Sequence, residues 1–136
     1  MLFVCTGNSA RSQMAEALLR AKGPESFEVH SAGTQPRGVH PLTIKVLAEL
    51  GIDISRATSK AVEGYVGQAF DYAITVCDQA REACPVFPGA VHSLHWDLDD
   101  PAAATGSEAE RMAAFRTTRD LIAARIDKFI WAALGG

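Results

Sequence analysis

The sequence reads as an α/β domain, a parallel sheet with helices on both faces. Short apolar runs alternate with helical patterns along the chain. Residues 2–4 form an apolar run that feeds directly into a Gly- and Asn-containing loop at the head of a helix. Residues 71–77, DYAITVC, give the clearest strand pattern. Strands alternating with helices of this length build βαβ units, whose ligands sit outside the carboxyl ends of the strands.

Each element has its own signal. Residues 2–4 read as a buried strand. From 12 to 21, Met14, Leu18 and Ala21 recur at helical spacing, and Gly23-Pro24 ends the helix. Residues 27–31 read as the second strand. Pro41 suits a first helical turn, Ile44, Leu47 and Ala48 mark the buried face, and Gly51 suits the C-terminal cap. Residues 59–68 read as a shorter helix with Val62, Tyr65 and Val66 inward. The third strand spans 71–77, and 78–84 read as a short helix stopped by Pro85. A fourth strand spans 91–96. Ser107-Glu108-Ala109-Glu110 is a capping box opening a long helix with Phe115, Ile122, Ile126, Phe129 and Ala133 inward.

The chain has 136 residues, enough for one domain over 1–136 with a substantial core. Hydrophobic residues at 48% and charged residues at 21% fit a globular protein. A net charge of −3 argues against general affinity for nucleic acid or an anionic membrane, while leaving room for one cationic pocket. No apolar run is long enough to span a bilayer, and the N-terminus lacks signal-peptide character, so the expected location is the cytoplasm. The three cysteines, Cys5, Cys77 and Cys84, are an odd number in such a chain and point to reactive thiols rather than a disulfide framework.

Cys5-Thr6-Gly7-Asn8-Ser9-Ala10-Arg11, between a strand and a helix, has the makings of an anion cradle. Gly7 permits close backbone approach and Asn8 tolerates positive φ. Successive N–H groups and the helix N-terminus then favour a negative ligand. Arg11 adds a planar fork for two oxygens of a tetrahedral anion. The same charges favour the thiolate of Cys5, to which Ser12 can donate, making Cys5 a nucleophile at neutral pH.

The segment Cys5-Thr6-Gly7-Asn8-Ser9-Ala10-Arg11-Ser12-Gln13-Met14-Ala15-Glu16 resembles the signature of the low-molecular-weight protein tyrosine phosphatases and of the arsenate reductases sharing their fold. The resemblance extends through Ser31-Ala32-Gly33, Gly51-Ile52-Asp53-Ile54-Ser55 and Asp99-Asp100-Pro101. It implies a four-stranded parallel sheet flanked by helices.

Cys77 and Cys84 choose between the two branches. Across seven residues of helix the Cα atoms lie about 10 Å apart along the axis. A disulfide needs roughly 4.4–6.8 Å, so bonding must unwind such a segment. The stretch VCDQAREACP resembles thioredoxin-coupled arsenate reductases, in which three cysteines pass oxidation outward. That resemblance implies that Cys5 attacks arsenate, Cys77 attacks Cys5 to release arsenite, and Cys84 attacks Cys77 to present a disulfide to thioredoxin or a similar dithiol protein. No cofactor is required. The alternatives are a phosphatase acting on phosphate monoesters and a non-catalytic oxyanion or arsenite redox sensor. A zinc site from Cys77, Cys84, His92 or His95 matches no common spacing.

Expelling hydroxide or alkoxide calls for a proton donor over the loop. The resemblance selects Asp100, which Pro101 holds extended; Asp97 and Asp99 are the other candidates. Ala102 after Asp-Pro, and Gln13 where phosphatases carry proline, both lead away from phosphotyrosine as substrate. Ala10 stands where reductases often have a cysteine outside the relay. Some members bind potassium through positions matching Asn8, Glu16 and Ser31, but Lys60 stands where a further carboxylate is expected. No metal site is therefore expected.

Overall fold

The computed structural model describes residues 1–23, 25, 27–79, 81 and 86–134. Four strands, β1 (Leu2–Cys5), β2 (His30–Gly33), β3 (Phe70–Cys77) and β4 (Ala90–Asp97), form one sheet in the order β2-β1-β3-β4. All pairings are parallel. The helices are α1 (Arg11–Lys22), α2 (Pro41–Ala48) and α3 (Glu108–Ala133). Among the described residues, two 3-10 turns, Val62–Tyr65 and Pro101–Ala103, complete the regular structure.

The pleat divides the core. Phe3, Ile74 and Val76 join Met14 and Leu18 of α1, Val46 and Leu47 of α2, and Phe115, Ile122 and Ile126 of α3 in one buried cluster. Leu2, Val4 and Ala73 point to the other face, where Val62 and Tyr65 of the 3-10 turn pack with Phe70 and Phe87. The α/β fold with a four-stranded parallel sheet is thus as expected, but the expected helices on both faces are not seen: among the described residues α1, α2 and α3 all pack on one face, and the other is covered by the 3-10 turn Val62–Tyr65.

Chain order reverses at β1, which has β2 on one side and β3 on the other. The crevice at the carboxyl ends of β1 and β3 is the expected ligand site of such a sheet. Cys5 ends β1 and Cys77 ends β3.

Several local expectations change. Residues 27–29 do not pair in the sheet; Phe27 instead stacks edge-on against Phe129, with ring centroids 6.4 Å apart. The buried face of α2 is Leu42, Thr43, Val46 and Leu47, while Ala48 is exposed. The rotation lets Thr43 Oγ1 donate to Ser9 O at 2.9 Å. Residues 59–61 are extended rather than helical, because their polar groups serve neighbours: Ser59 Oγ and Lys60 N donate to Asn8, and Lys60 O accepts from Gly33 N. Only Val62–Tyr65 is helical there. Ala133 is exposed at the end of α3. The expected helix over 78–84 falls largely outside the described residues.

Other signals hold. Gly51 has φ of 77°, and its N–H and that of Ile52 reach back to Ala48 O and Leu47 O, closing α2. Ser107 and Glu110 form the capping box of α3. Glu49, just after α2, accepts from Arg116 and Arg119 of α3, clamping the two helices together.

Candidate active site

The loop joining β1 to α1 turns its carbonyl oxygens outward. Cys5 O accepts from Thr34 N, Thr6 O from Gln35 N, Gly7 O from Arg37 N and Ser9 O from His40 N. Asn8 O accepts from Ser59 Oγ at 2.6 Å and Gln13 Nε2 at 3.2 Å, and Ala10 O accepts from Met14 N. With every carbonyl from Cys5 to Ala10 engaged outside, the N–H groups face the concave side. That is the electrostatic requirement for an anion cradle. Asn8 adopts φ of 45°, the one positive-φ residue other than glycine among those described. No side chain caps the first turn of α1, so its N-terminal field is directed into the loop.

Cys5 is a buried free thiol. Its Sγ lies 2.7 Å from Ser12 Oγ and accepts from Asn8 N at 3.2 Å. Arg11 is also buried; its NH1 donates to Leu98 O at 3.1 Å, and its NH2 lies 3.9 Å from Asp100 Oδ2. The Asp100 backbone is extended before Pro101, and its Oδ1 accepts from Ala102 N. One carboxylate oxygen is thus committed to the turn and the other faces the loop.

These groups surround a cavity of about 790 Å³ lined by Cys5, Thr6, Gly7, Ser9, Ala10, Arg11 and Asp100, among others. Asn8 and Ser12 do not line this cavity; their side chains are buried beneath the loop and brace it through Ser31 and Cys5. Cys5, Arg11 and Asp100 therefore come together. Cys77 is buried, disulfide-bonded and absent from the cavity lining. Val4 pairs with Thr75, so Cys77 lies one residue beyond the level of Cys5, with pleat alternation turning it toward the opposite face. Its neighbour Asp78 lines the cavity, and Cys77 O accepts from Leu98 N beside the Arg11 anchor. Cys84 lies outside the described residues.

Three contributors received no structural role from the sequence. Gln13 Nε2 reaches Asn8 O, Asn8 Oδ1 and Thr58 O, which explains a donor where a proline would supply none. Arg37 and His40 line the cavity from the segment that holds the loop carbonyls. Desolvation and nearby Arg111 push the His40 imidazole below its ordinary pKa, against an opposing pull from Asp100. Its Nδ1 accepts from Leu42 N as the cap of α2. His92 and His95 have other work: His92 stacks on Tyr72 and His95 bonds Thr75.

The residues near Glu16 do not fit a bound potassium ion. Lys60 Nζ already stands 3.3 Å from Glu16 Oε1, and Arg20 NH1 stands 2.6 Å from Oε2. A third cation beside these two would be repelled.

Residues 1–135 match the model of the family described as low molecular weight phosphotyrosine protein phosphatase. The chain belongs to that family. Within it, the chain is 42% identical over 127 residues to an arsenate reductase of Halalkalibacterium halodurans, covering 93% of this chain and 91% of that one. It is 41% identical, with the same coverage, to an arsenate reductase of Bacillus subtilis. Among solved structures, an arsenate reductase in its phosphate-binding state superposes with TM-score 0.81 at 32% identity, covering 96% of this chain and 95% of that one. A thioredoxin-dependent arsenate reductase of Corynebacterium glutamicum gives TM-score 0.71 at 34% identity, covering 97% of this chain and 59% of that one. An arginine phosphatase of Geobacillus stearothermophilus gives 0.76 at 25% identity, covering 98% and 91%.

Proposed function

We propose that this chain reduces arsenate to arsenite by a three-cysteine relay recharged by thioredoxin or a similar dithiol protein. The observation that carries it is the placement of two sulfurs: Cys5 is a free thiol in the anion loop at the end of β1, and Cys77 ends the adjoining strand β3. A phosphatase needs only the first. The arsenate reductase relatives support the same reading.

The loop binds the oxyanion through inward N–H groups and Arg11. The Cys5 thiolate, with Ser12 donating to it, attacks arsenic. Asp100 delivers a proton to the departing oxygen, so water leaves and a Cys5–arsenic(V) bond remains. Cys77 thiolate then attacks Cys5 Sγ. The sulfur–arsenic bond breaks with its electron pair passing to arsenic, arsenite departs, and a Cys5–Cys77 disulfide forms. Cys84 thiolate attacks Cys77, releasing Cys5 as thiolate. The dithiol partner returns the final disulfide to two thiols. Since Cys77 stands outside the cavity, the end of β3 must move for these exchanges.

We take residues 1–136 as a single domain. The cytoplasm is its proposed location, because the relay consumes reduced dithiol and such thiols persist there. Among the described residues no helix is long and apolar enough to cross a membrane. The shared loop chemistry gives the enzyme weak phosphate-monoester hydrolysis as well.

The test is NADPH consumption with arsenate, thioredoxin and thioredoxin reductase. Cys84→Ser should bind oxyanion, release at most one arsenite per chain and then stop. Sustained arsenate turnover by Cys77→Ser and Cys84→Ser would overturn the relay. Hydrolysis of p-nitrophenyl phosphate with no arsenate reduction would favour the phosphatase alternative.

A further inference from the structure

We propose that the Lys60 ammonium is a built-in cation for the active-site loop, a positioning residue that orients Asn8 and thereby aims the Ser12 hydroxyl at Cys5. The proposal rests on Cys5 being the nucleophile, and it takes the place of a bound monovalent ion, which the residues around Glu16 do not fit.

The chain of contacts is continuous and has one polarity. Glu16 is a buried carboxylate between two cations, Lys60 and Arg20. Such a carboxylate only accepts, so the Ser31 hydroxyl spends its single hydrogen on Glu16 Oε1. The Ser31 lone pairs are left to accept from Asn8 Nδ2 at 2.9 Å. The second hydrogen of that amide goes to Ser12 Oγ at 2.8 Å. Ser12 has then received a donor, and its own hydrogen is free for Cys5 Sγ, 2.7 Å away. A hydrogen directed at the sulfur stabilises the thiolate rather than the thiol.

Lys60 also grips the other end of the same amide. Its backbone N–H donates to Asn8 Oδ1 at 2.8 Å, where Gln13 Nε2 also donates at 2.9 Å. Asn8 therefore cannot exchange its nitrogen and oxygen without facing donors with a donor. The Lys60 ammonium finds a further acceptor in Thr58 O at 3.3 Å, which fixes the side chain along the loop's underside. One residue thus sets the amide from both directions, by charge through Glu16 and Ser31 and by its main chain directly.

Lys60→Met keeps the length and the backbone N–H but removes the charge. Alkylation of Cys5 by iodoacetamide should slow on the order of tenfold, the usual scale for partners one step removed from a reacting group. The arsenate kcat should fall with little change in KM. Lys60→Arg should restore both. In the unsubstituted enzyme, potassium chloride should match choline chloride at equal ionic strength, whereas Lys60→Asp should become potassium-dependent. Unchanged alkylation in Lys60→Met, or potassium stimulation of the unsubstituted enzyme, would overturn the proposal; the latter requires no variant to fold. Alkylation needs no arsenate turnover. If arsenate is not reduced yet alkylation responds as stated, the functional reading fails and the role of Lys60 stands. If arsenate is reduced and alkylation does not respond, the reverse holds.

Discussion

Replacing Gly33 by alanine tests how tightly the loop is held, because the clash can be read in advance. A Cβ at Gly33 would stand 2.5 Å from Thr6 O and 2.8 Å from Asn8 N. The first contact is closer than carbon's optimal separation by about 1 Å. Both contacted atoms are backbone, so no rotamer change relieves them. Thr6 O is pinned by Gln35 N at 2.8 Å, and Asn8 N donates to Cys5 Sγ. Gly33 N is itself tied to Lys60 O at 2.8 Å, so β2 cannot simply recede. Overpacking of this kind costs about 1–3 kcal/mol, which lowers Tm by about 4–12 °C for a domain of this size. Where the loop moves instead, a 1 Å misplacement costs up to about a hundredfold in rate. Calorimetry reads the first outcome. The second is read by the rate of Cys5 alkylation and by the arsenate concentration that half-protects it. A Gly33→Ala protein with unchanged Tm, alkylation rate and protection would refute the close-approach argument.

Three further outcomes rest on named contacts. Arg11→Lys loses the planar fork that spans Leu98 O and the anion, so oxyanion affinity should drop roughly tenfold to a hundredfold, measured by the same protection assay. Gln13→Leu leaves Asn8 O, Asn8 Oδ1 and Thr58 O each short of a donor, and urea unfolding should show a loss of about 1–3 kcal/mol. Hydrogen bonding from Arg116, helped by Arg119, lowers the Glu49 pKa from 4.5 to about 2. A carboxylate depressed on folding contributes fully above its unfolded pKa and loses that contribution as pH falls toward the folded value. Tm should therefore fall less steeply from pH 4.5 to 2 in Glu49→Gln than in the unsubstituted protein.

The sheet, the loop and its Cys5 and Arg11 were legible in the sequence because each depends on local chemistry. An apolar run before Gly-Asn, a cysteine six positions ahead of an arginine, and Ser-x-x-Glu before a helical pattern all act within a few residues of chain. The failures share the opposite property. Residues 59–61 have a helical pattern, but Asn8 and Gly33 claim their N–H, hydroxyl and carbonyl groups, and no local signal announces a partner 27 or 51 residues away. Gln13 reads only as a departure from the phosphatases' proline until Thr58 and Asn8 are seen around its amide. The side chains of Asn8 and Ser12 bond Ser31, Cys5 and each other beneath the loop, a bracing role that the motif alone does not announce. The face of α2 turned because Thr43 satisfies Ser9 O, a demand made by the loop and not by the helix.

An anion site made of N–H groups sets a second requirement that has nothing to do with the anion. Each peptide that offers its N–H inward must dispose of its carbonyl outward, in a buried place where an unpaired oxygen costs about 1–3 kcal/mol. Six successive carbonyls, from Cys5 to Ala10, meet that demand through donors on residues 34–40, on α1, on α2 and on residue 59. Much of the chain after β2 is thus arranged around the outer side of one loop. Residues with no reactive group, Gln13, Gly33, Thr43 and Ser59 among them, become determinants of a site whose proposed chemistry belongs to Cys5 and Arg11. The same division explains how one loop serves two reactions. Oxyanion capture and thiolate attack need only this braced cradle, and the fate of the covalent adduct depends on whether a second sulfur can reach Cys5 before water does. A chain with the cradle alone can hydrolyse its covalent intermediate; under the proposed relay, Cys77 and Cys84 divert that intermediate into disulfide exchange.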